Sequence, residues 1–114
     1  MQYFCFTVIY LLHGSIGEAM RFKDSGLEAF WSDPIRCCPS WVPASLRKTL
    51  YRKLQVLDAA CSLLDLRIPP SNHLEKLKGD RTGQYSIRVN LQWRLCFTWE
   101  QGEATEVELC DYHS

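Results

Sequence analysis

No Cys-x-x-Cys pair occurs in the 114 residues, although six cysteines are present, at positions 5, 37, 38, 61, 96 and 110. The three histidines stand at no ligand spacing to them. These absences exclude a zinc site and a disulfide framework, and no metal or cofactor is expected. Cys61 and Cys96 lie in regular-looking segments and are expected as buried free thiols, which suits a reducing cytoplasm. There is no internal repeat, no low-complexity tract and no apolar run long enough to cross a bilayer. The longest such run, Tyr3 to Leu12, spans ten residues and contains one Thr. It lacks the basic opening of a secretory signal. Two readings of it stand: an extra strand, or translation from an upstream start codon, with Met20 near the opening of the domain proper. The second is preferred. Residues 1–17 are accordingly set apart as an extension with no assigned function, and 18–114 as the domain.

Net charge is also lacking, but the balance is uneven. Residues 36–94 carry eleven Lys/Arg against four Asp/Glu, a net of +7, whereas 1–35 carry −2 and 95–114, without a single base, carry −5. A polyanion can bind such a basic middle locally, because salt screens charge over about 10 Å at 0.1 M. Arg47, Lys48, Arg52 and Lys53 read equally well as a solvated helix face. With 46% hydrophobic residues and four Trp, five Tyr and five Phe, the chain can fill one core and is too short for two domains.

Periodicity orders the elements as β-α-α-β-β-β-β. Residues 18–23 suit a short first strand. Ser25 and Glu28 stand at capping-box spacing, Leu27, Phe30 and Trp31 give the helix after them an apolar side, and Asp33-Pro34 ends it. Residues 34–43, with three prolines, form a loop. Pro43 suits a helix's first turn, and Leu46, Leu50, Leu54, Leu57, Cys61 and Leu64 form one stripe on a helix over about 44–62. Pro69-Pro70-Ser71-Asn72 breaks the chain, and His73 to Leu77 is a short strand. Tyr85, Ile87 and Val89, then Trp93, Leu95, Phe97 and Trp99, then Thr105, Val107 and Leu109 alternate with polar residues, as half-buried antiparallel strands do. Asn90-Leu91-Gln92 and Gln101-Gly102 turn the hairpins. The expected fold is α+β, with two N-terminal helices packed on a mainly antiparallel four- to five-stranded sheet.

Pairing Val89 with Trp93 sets Arg88 opposite Arg94, both away from the core. Two facing cations repel. Either a phosphate bridges them, or each pairs with a carboxylate on a neighbouring strand such as Glu108. Lys76, Lys78 and Arg81 lie just before the sheet and, with Arg94, can surround one phosphate. Asp111, Tyr112 and His113 add proton-handling groups. RNA cleavage by its own 2′-hydroxyl needs a base, cations for the phosphorane and an acid for the leaving oxygen. On residues alone, the terminal triplet reads as readily as a frayed end.

The segment Phe22-Lys23-Asp24-Ser25-Gly26-Leu27-Glu28 resembles the opening of HigB toxins of the RelE/ParE superfamily. So do Leu77-Lys78-Gly79-Asp80-Arg81, the strands from Tyr85 to Asn90 and from Gln92 to Phe97, and the closing Asp111-Tyr112-His113. The matches fall in order over about residues 20–113. The resemblance implies a RelE/ParE fold and a ribosome-dependent endoribonuclease that cuts mRNA in the ribosomal A site. It also implies a HigA-like helix-turn-helix antitoxin that carries the complex to operator DNA, a cytoplasmic setting and no membrane. By position, Lys78, Arg81 and Arg94 bind the scissile phosphate, and Asp111, Tyr112 and His113 supply proton transfer and stacking. Lys76, Arg88 and His73 are the further RNA-binding candidates. Many relatives carry a histidine where this chain has Glu75, so Glu75 is a candidate acceptor, with His73 as a fallback that a strand would aim the same way. Two other functions remain open: a ParE-like poison of DNA gyrase, and a catalytically inactive antitoxin-binding homologue.

Overall fold

A computed structural model of the chain describes residues 20–111. The extension assigned to 1–17, the first residues of the expected opening strand, and Tyr112 and His113 lie outside the described residues.

Helix α1 spans Ser25–Ser32. Its N-cap is Asp24, whose carboxylate accepts from the Gly26 amide at 3.0 Å. The capping box expected at Ser25 and Glu28 is therefore displaced. Ser25 is already helical, and a full negative charge one residue earlier meets the positive helix end better than a hydroxyl does. Leu27 and Phe30 are buried, and Trp31 lies against Tyr51 with ring centroids 5.2 Å apart. Asp33 closes the helix by donating its amide to the Ala29 carbonyl at 2.9 Å, with Pro34 next.

Pro43 precedes a 3-10 turn, Ala44–Leu46, which runs into helix α2, Arg47–Ala59. Leu50, Leu54 and Leu57 are no more than 1% exposed. The stripe ends there, short of the expected residue 62. Ala60 turns extended (ψ 133°), and Ser62 and Asp65 cap each other to open a second 3-10 turn, Leu63–Arg67. Cys61 and Leu64 consequently face solvent, contrary to the buried thiol and apolar stripe the spacing suggests. Asn72 ties this connection to α2. It is fully buried, donates to the carbonyls of Leu66 (3.1 Å) and Ile68 (3.3 Å), and accepts from Lys53 Nζ at 2.6 Å.

The sheet has four antiparallel strands in the order β1 (Glu75–Lys76), β2 (Tyr85–Arg88), β3 (Trp93–Glu100) and β4 (Glu103–Asp111). Strand β1 is only two residues and follows closely on a left-handed His73 (φ 46°). Of the first strand expected at 18–23, the described residues show one parallel bridge between Phe22 and Val107, flanked by Lys23 N–H to Val107 O (2.9 Å) and Val107 N–H to Arg21 O (3.0 Å). A bulge interrupts the β3–β4 pairing: Cys96 to Thr98 on β3 faces the longer stretch Thr105 to Glu108 on β4, where Glu106 is left-handed (φ 53°). One sheet face packs Ile87, Val89, Leu95, Phe97 and Val107 against α1 and α2. The other face carries the polar alternates Ser86, Arg94, Cys96, Glu108 and Cys110.

Candidate functional site

Residues directly opposite in an antiparallel ladder project to the same side. The register Glu75–Ser86–Cys96–Glu108 therefore forms one row across all four strands, and Arg88–Arg94–Cys110 forms the next. Arg94 is the centre of this face. Its Nε donates to Ser86 Oγ at 2.7 Å, and one Nη donates to the His73 carbonyl at 2.6 Å and lies 3.6 Å from Glu75 Oε1. The Arg94 side chain is 5% exposed and that of Glu75 is 49% exposed. Two consequences correct the sequence reading. Arg88 and Arg94 do face each other, but Arg94 is buried rather than held on an open face. Its compensating charge is Glu75, one strand beyond its immediate neighbour β2, rather than Glu108. His73 does not lie on a strand beside Glu75; it serves the site through its backbone oxygen.

Glu108 instead receives Arg81. The Gly79–Arg81 3-10 turn between β1 and β2 swings this guanidinium back over the sheet, where Nη1 meets Glu108 Oε2 at 3.0 Å and Gln84 Oε1 at 2.9 Å. Gly79 adopts φ +67°, the left-handed conformation that glycine tolerates best, and so permits that turn. The Glu108 hydrogen bond raises the Arg81 pKa further, so its charge is permanent. Lys23 Nζ lies 3.6 Å from the same carboxylate. Arg94 and Arg81 thus sit over one face, tethered at the two ends of one residue row.

Lys78 is exposed at the entry to the Gly79–Arg81 turn. Lys76 pairs with Tyr85, which assigns it to the side opposite Glu75. Asp111 pairs with Trp93 and therefore lies on the side away from Arg94, with both carboxylate oxygens accepting from Gln92 Nε2 at 3.2 Å. Arg94 and Arg81 share one face with Glu75, Lys78 is exposed at the turn after β1, and Lys76 and Asp111 lie on the other side. Among the described residues, no group of three His, Cys, Asp or Glu is disposed to hold a metal ion.

Residues not named as site candidates from the sequence complete the face. Ser86 fixes Arg94 in orientation, and Glu108 fixes Arg81. Cys96 and Cys110 lie between them, on the same side of the β3–β4 ladder, and each shifts the ionisation of the other. The polar half of the alternation in β2, β3 and β4 was the signal for all four.

The family described as the RelE-like toxin of the type II toxin–antitoxin system HigB matches residues 20–113. This chain belongs to that family. A Vibrio cholerae serotype O1 protein named Toxin HigB-1 is 47% identical over 91 residues, covering 80% of this chain and 94% of that one. A Proteus vulgaris protein named Endoribonuclease HigB is 34% identical over 92 residues, covering 81% and 96%. The YoeB–YefM complex from Staphylococcus aureus contains a chain of similar fold, with TM-score 0.53 and 22% identity over 83% of this chain and 95% of that one. At that identity the likeness is of fold alone. As a HigB-family toxin the chain is α+β, with four antiparallel strands and two helices among its described residues. No helix among its described residues is long and apolar enough to cross a membrane.

Proposed function

We propose that this HigB-family toxin is a ribosome-dependent endoribonuclease that cuts mRNA through the RNA's own 2′-hydroxyl. The observation that carries the reading is the buried Arg94 guanidinium, held by Ser86, His73 and Glu75 on the same sheet face as Arg81. The relative named an endoribonuclease adds to it. Side chains locked by packing and hydrogen bonds need no reorganisation as charge develops on a phosphorane. Arg94 and Arg81, with Lys78, neutralise the scissile phosphate, and Arg88 and His73 line the RNA path, with Lys76 at its margin. A base takes the 2′-proton, the 2′-oxygen attacks phosphorus, and an acid protonates the departing 5′-oxygen. Glu75 is our assignment for the base, because it shares Arg94's face and is half open to solvent. Tyr112 and His113 complete proton transfer and stacking, and Asp111 joins them only if the Gln92 clasp opens. The partner is a HigA-like helix-turn-helix antitoxin, through which the complex binds operator DNA. Action on ribosomes sets the toxin in the cytoplasm.

The test adds purified protein to a translating extract and maps the mRNA ends. Cuts inside codons are expected, and a folded Arg94→Lys, His113→Ala variant should lose at least about 10²-fold in rate, as loss of preorganised transition-state donors does. Full activity in that variant overturns the reading. Growth arrest with DNA damage and intact mRNA marks a ParE-like gyrase poison instead, and antitoxin binding with neither effect marks a catalytically inactive homologue.

A further inference from the structure

The two thiols in the middle of the face play no part in the proposed cleavage, yet they are arranged for chemistry of their own. Cys96 is directly opposite Glu108 and Cys110 directly opposite Arg94, so the cysteines are diagonal neighbours on one side of the β3–β4 ladder. Each thiol is close enough to shift the ionisation of the other. Cys96 is 4% exposed, whereas Cys110 is half-buried and open to small solutes. The extra residue that β4 carries between Thr105 and Glu108 adds local twist beside the pair. We propose that Cys96 and Cys110 form a dithiol modification site, which a peroxide or a small disulfide oxidant converts to an intramolecular disulfide.

The electrostatics favour this order of events. The neighbouring Cys96, ahead of the positive charges of Arg81 and Lys23, holds the Cys110 thiol below its ordinary value, while Cys110 and burial push Cys96 up. Cys110, the more exposed of the two, is the nucleophile, and the buried Cys96 is the resolving thiol. With a peroxide, the Cys110 thiolate attacks one oxygen and the O–O bond breaks. The hydroxide that leaves takes up a solvent proton, and Cys110 becomes a sulfenic acid. The Cys96 sulfur then attacks the Cys110 sulfur. An S–S bond forms, the S–O bond breaks, and the oxygen departs as water with the Cys96 proton. Two thiols and one peroxide give one disulfide and two waters, with two electrons passing from sulfur to oxygen. This chemistry is independent of whether the face cuts RNA.

The experiment treats the full chain with limiting hydrogen peroxide, blocks remaining thiols with iodoacetamide and maps the peptides by mass. The expected product is a Cys96–Cys110 cross-link, two hydrogens lighter and reversed by dithiothreitol, formed before the exposed thiols Cys37 and Cys61 are consumed. Cys110→Ser should slow oxidation of Cys96 at least roughly tenfold, since the buried thiol then has no low-pKa neighbour to react first. Cys96→Ser should leave Cys110 as a sulfenic acid that a dimedone probe captures. Cross-linking no faster than reaction at Cys37 and Cys61, or oxidation of Cys96 unaffected by Cys110→Ser, overturns the proposal.

Discussion

Replacing Arg94 with alanine should weaken the fold as well as any activity. The guanidinium satisfies the fully buried Ser86 hydroxyl and the His73 carbonyl. Each partner left without its donor costs about 1–3 kcal/mol, and breaking a buried charged contact typically costs about 3–5 kcal/mol in total. Glu75 is half exposed and recovers water, which holds the expected loss near the lower figure. We therefore expect Arg94→Ala to destabilise by about 3–4 kcal/mol, most of what a small domain has to spare. Glu75→Gln should cost under about 1 kcal/mol, because a pair open on one side is screened, and Ser86→Ala should cost about 1 kcal/mol. Urea unfolding followed by tryptophan fluorescence measures all three, and the Arg94→Ala midpoint should fall by about 2 M at an ordinary slope. A loss under about 1 kcal/mol for Arg94→Ala, or an equal loss for Glu75→Gln, would refute the claim that burial and the Ser86 and His73 bonds hold this side chain.

Three other outcomes are expected. Asn72→Ala should cost about 2–3 kcal/mol in thermal or urea unfolding, because it strands the Leu66 and Ile68 carbonyls and the Lys53 amine. Asp58 is held above the ordinary carboxylate value by burial first and by Glu103 second, against the Met20 amide that lowers it. The native state therefore binds its proton more readily than the unfolded chain does, and this group's contribution to stability falls as pH rises from the unfolded value through the native one. Asp58→Asn, which keeps an oxygen for Met20, should raise the melting temperature near neutral pH and flatten its dependence over that window. Gln92→Ala should leave stability within about 0.5 kcal/mol, since this exposed clasp is solvent-competed, yet alter protease cleavage after Asp111 by releasing the end of β4.

The alternation over Tyr85–Val89 and Trp93–Trp99 determined both hairpin partners and the opposition of Arg88 to Arg94, because a strand's two-residue period leaves one register that buries Ile87, Leu95 and Phe97 together. The leucine spacing likewise determined helix α2, since a 3.6-residue period places Leu50, Leu54 and Leu57 on one side. The ends of these elements were less legible. Ser25 looked like a cap because hydroxyls often are, and only the fold reveals that Asp24 has the Gly26 amide within reach. The stripe seemed to continue to Cys61 and Leu64 because period alone carries no stop signal, whereas the Ser62–Asp65 capping box ends it.

Side-chain spacing also assigned residues to faces without determining their depth. It placed Arg94 on the polar side of the sheet, but only the three-dimensional path of 70–77, with its left-handed turn at His73, brings a carbonyl and Glu75 over the guanidinium and shuts it from water. Likewise Arg81 and Glu108 are 27 positions apart and join because a 3-10 turn folds back across the sheet. Local periods are written in neighbouring residues and survive as sequence. Burial and long-range pairing depend on where distant segments pass, and that is settled only when the whole core closes.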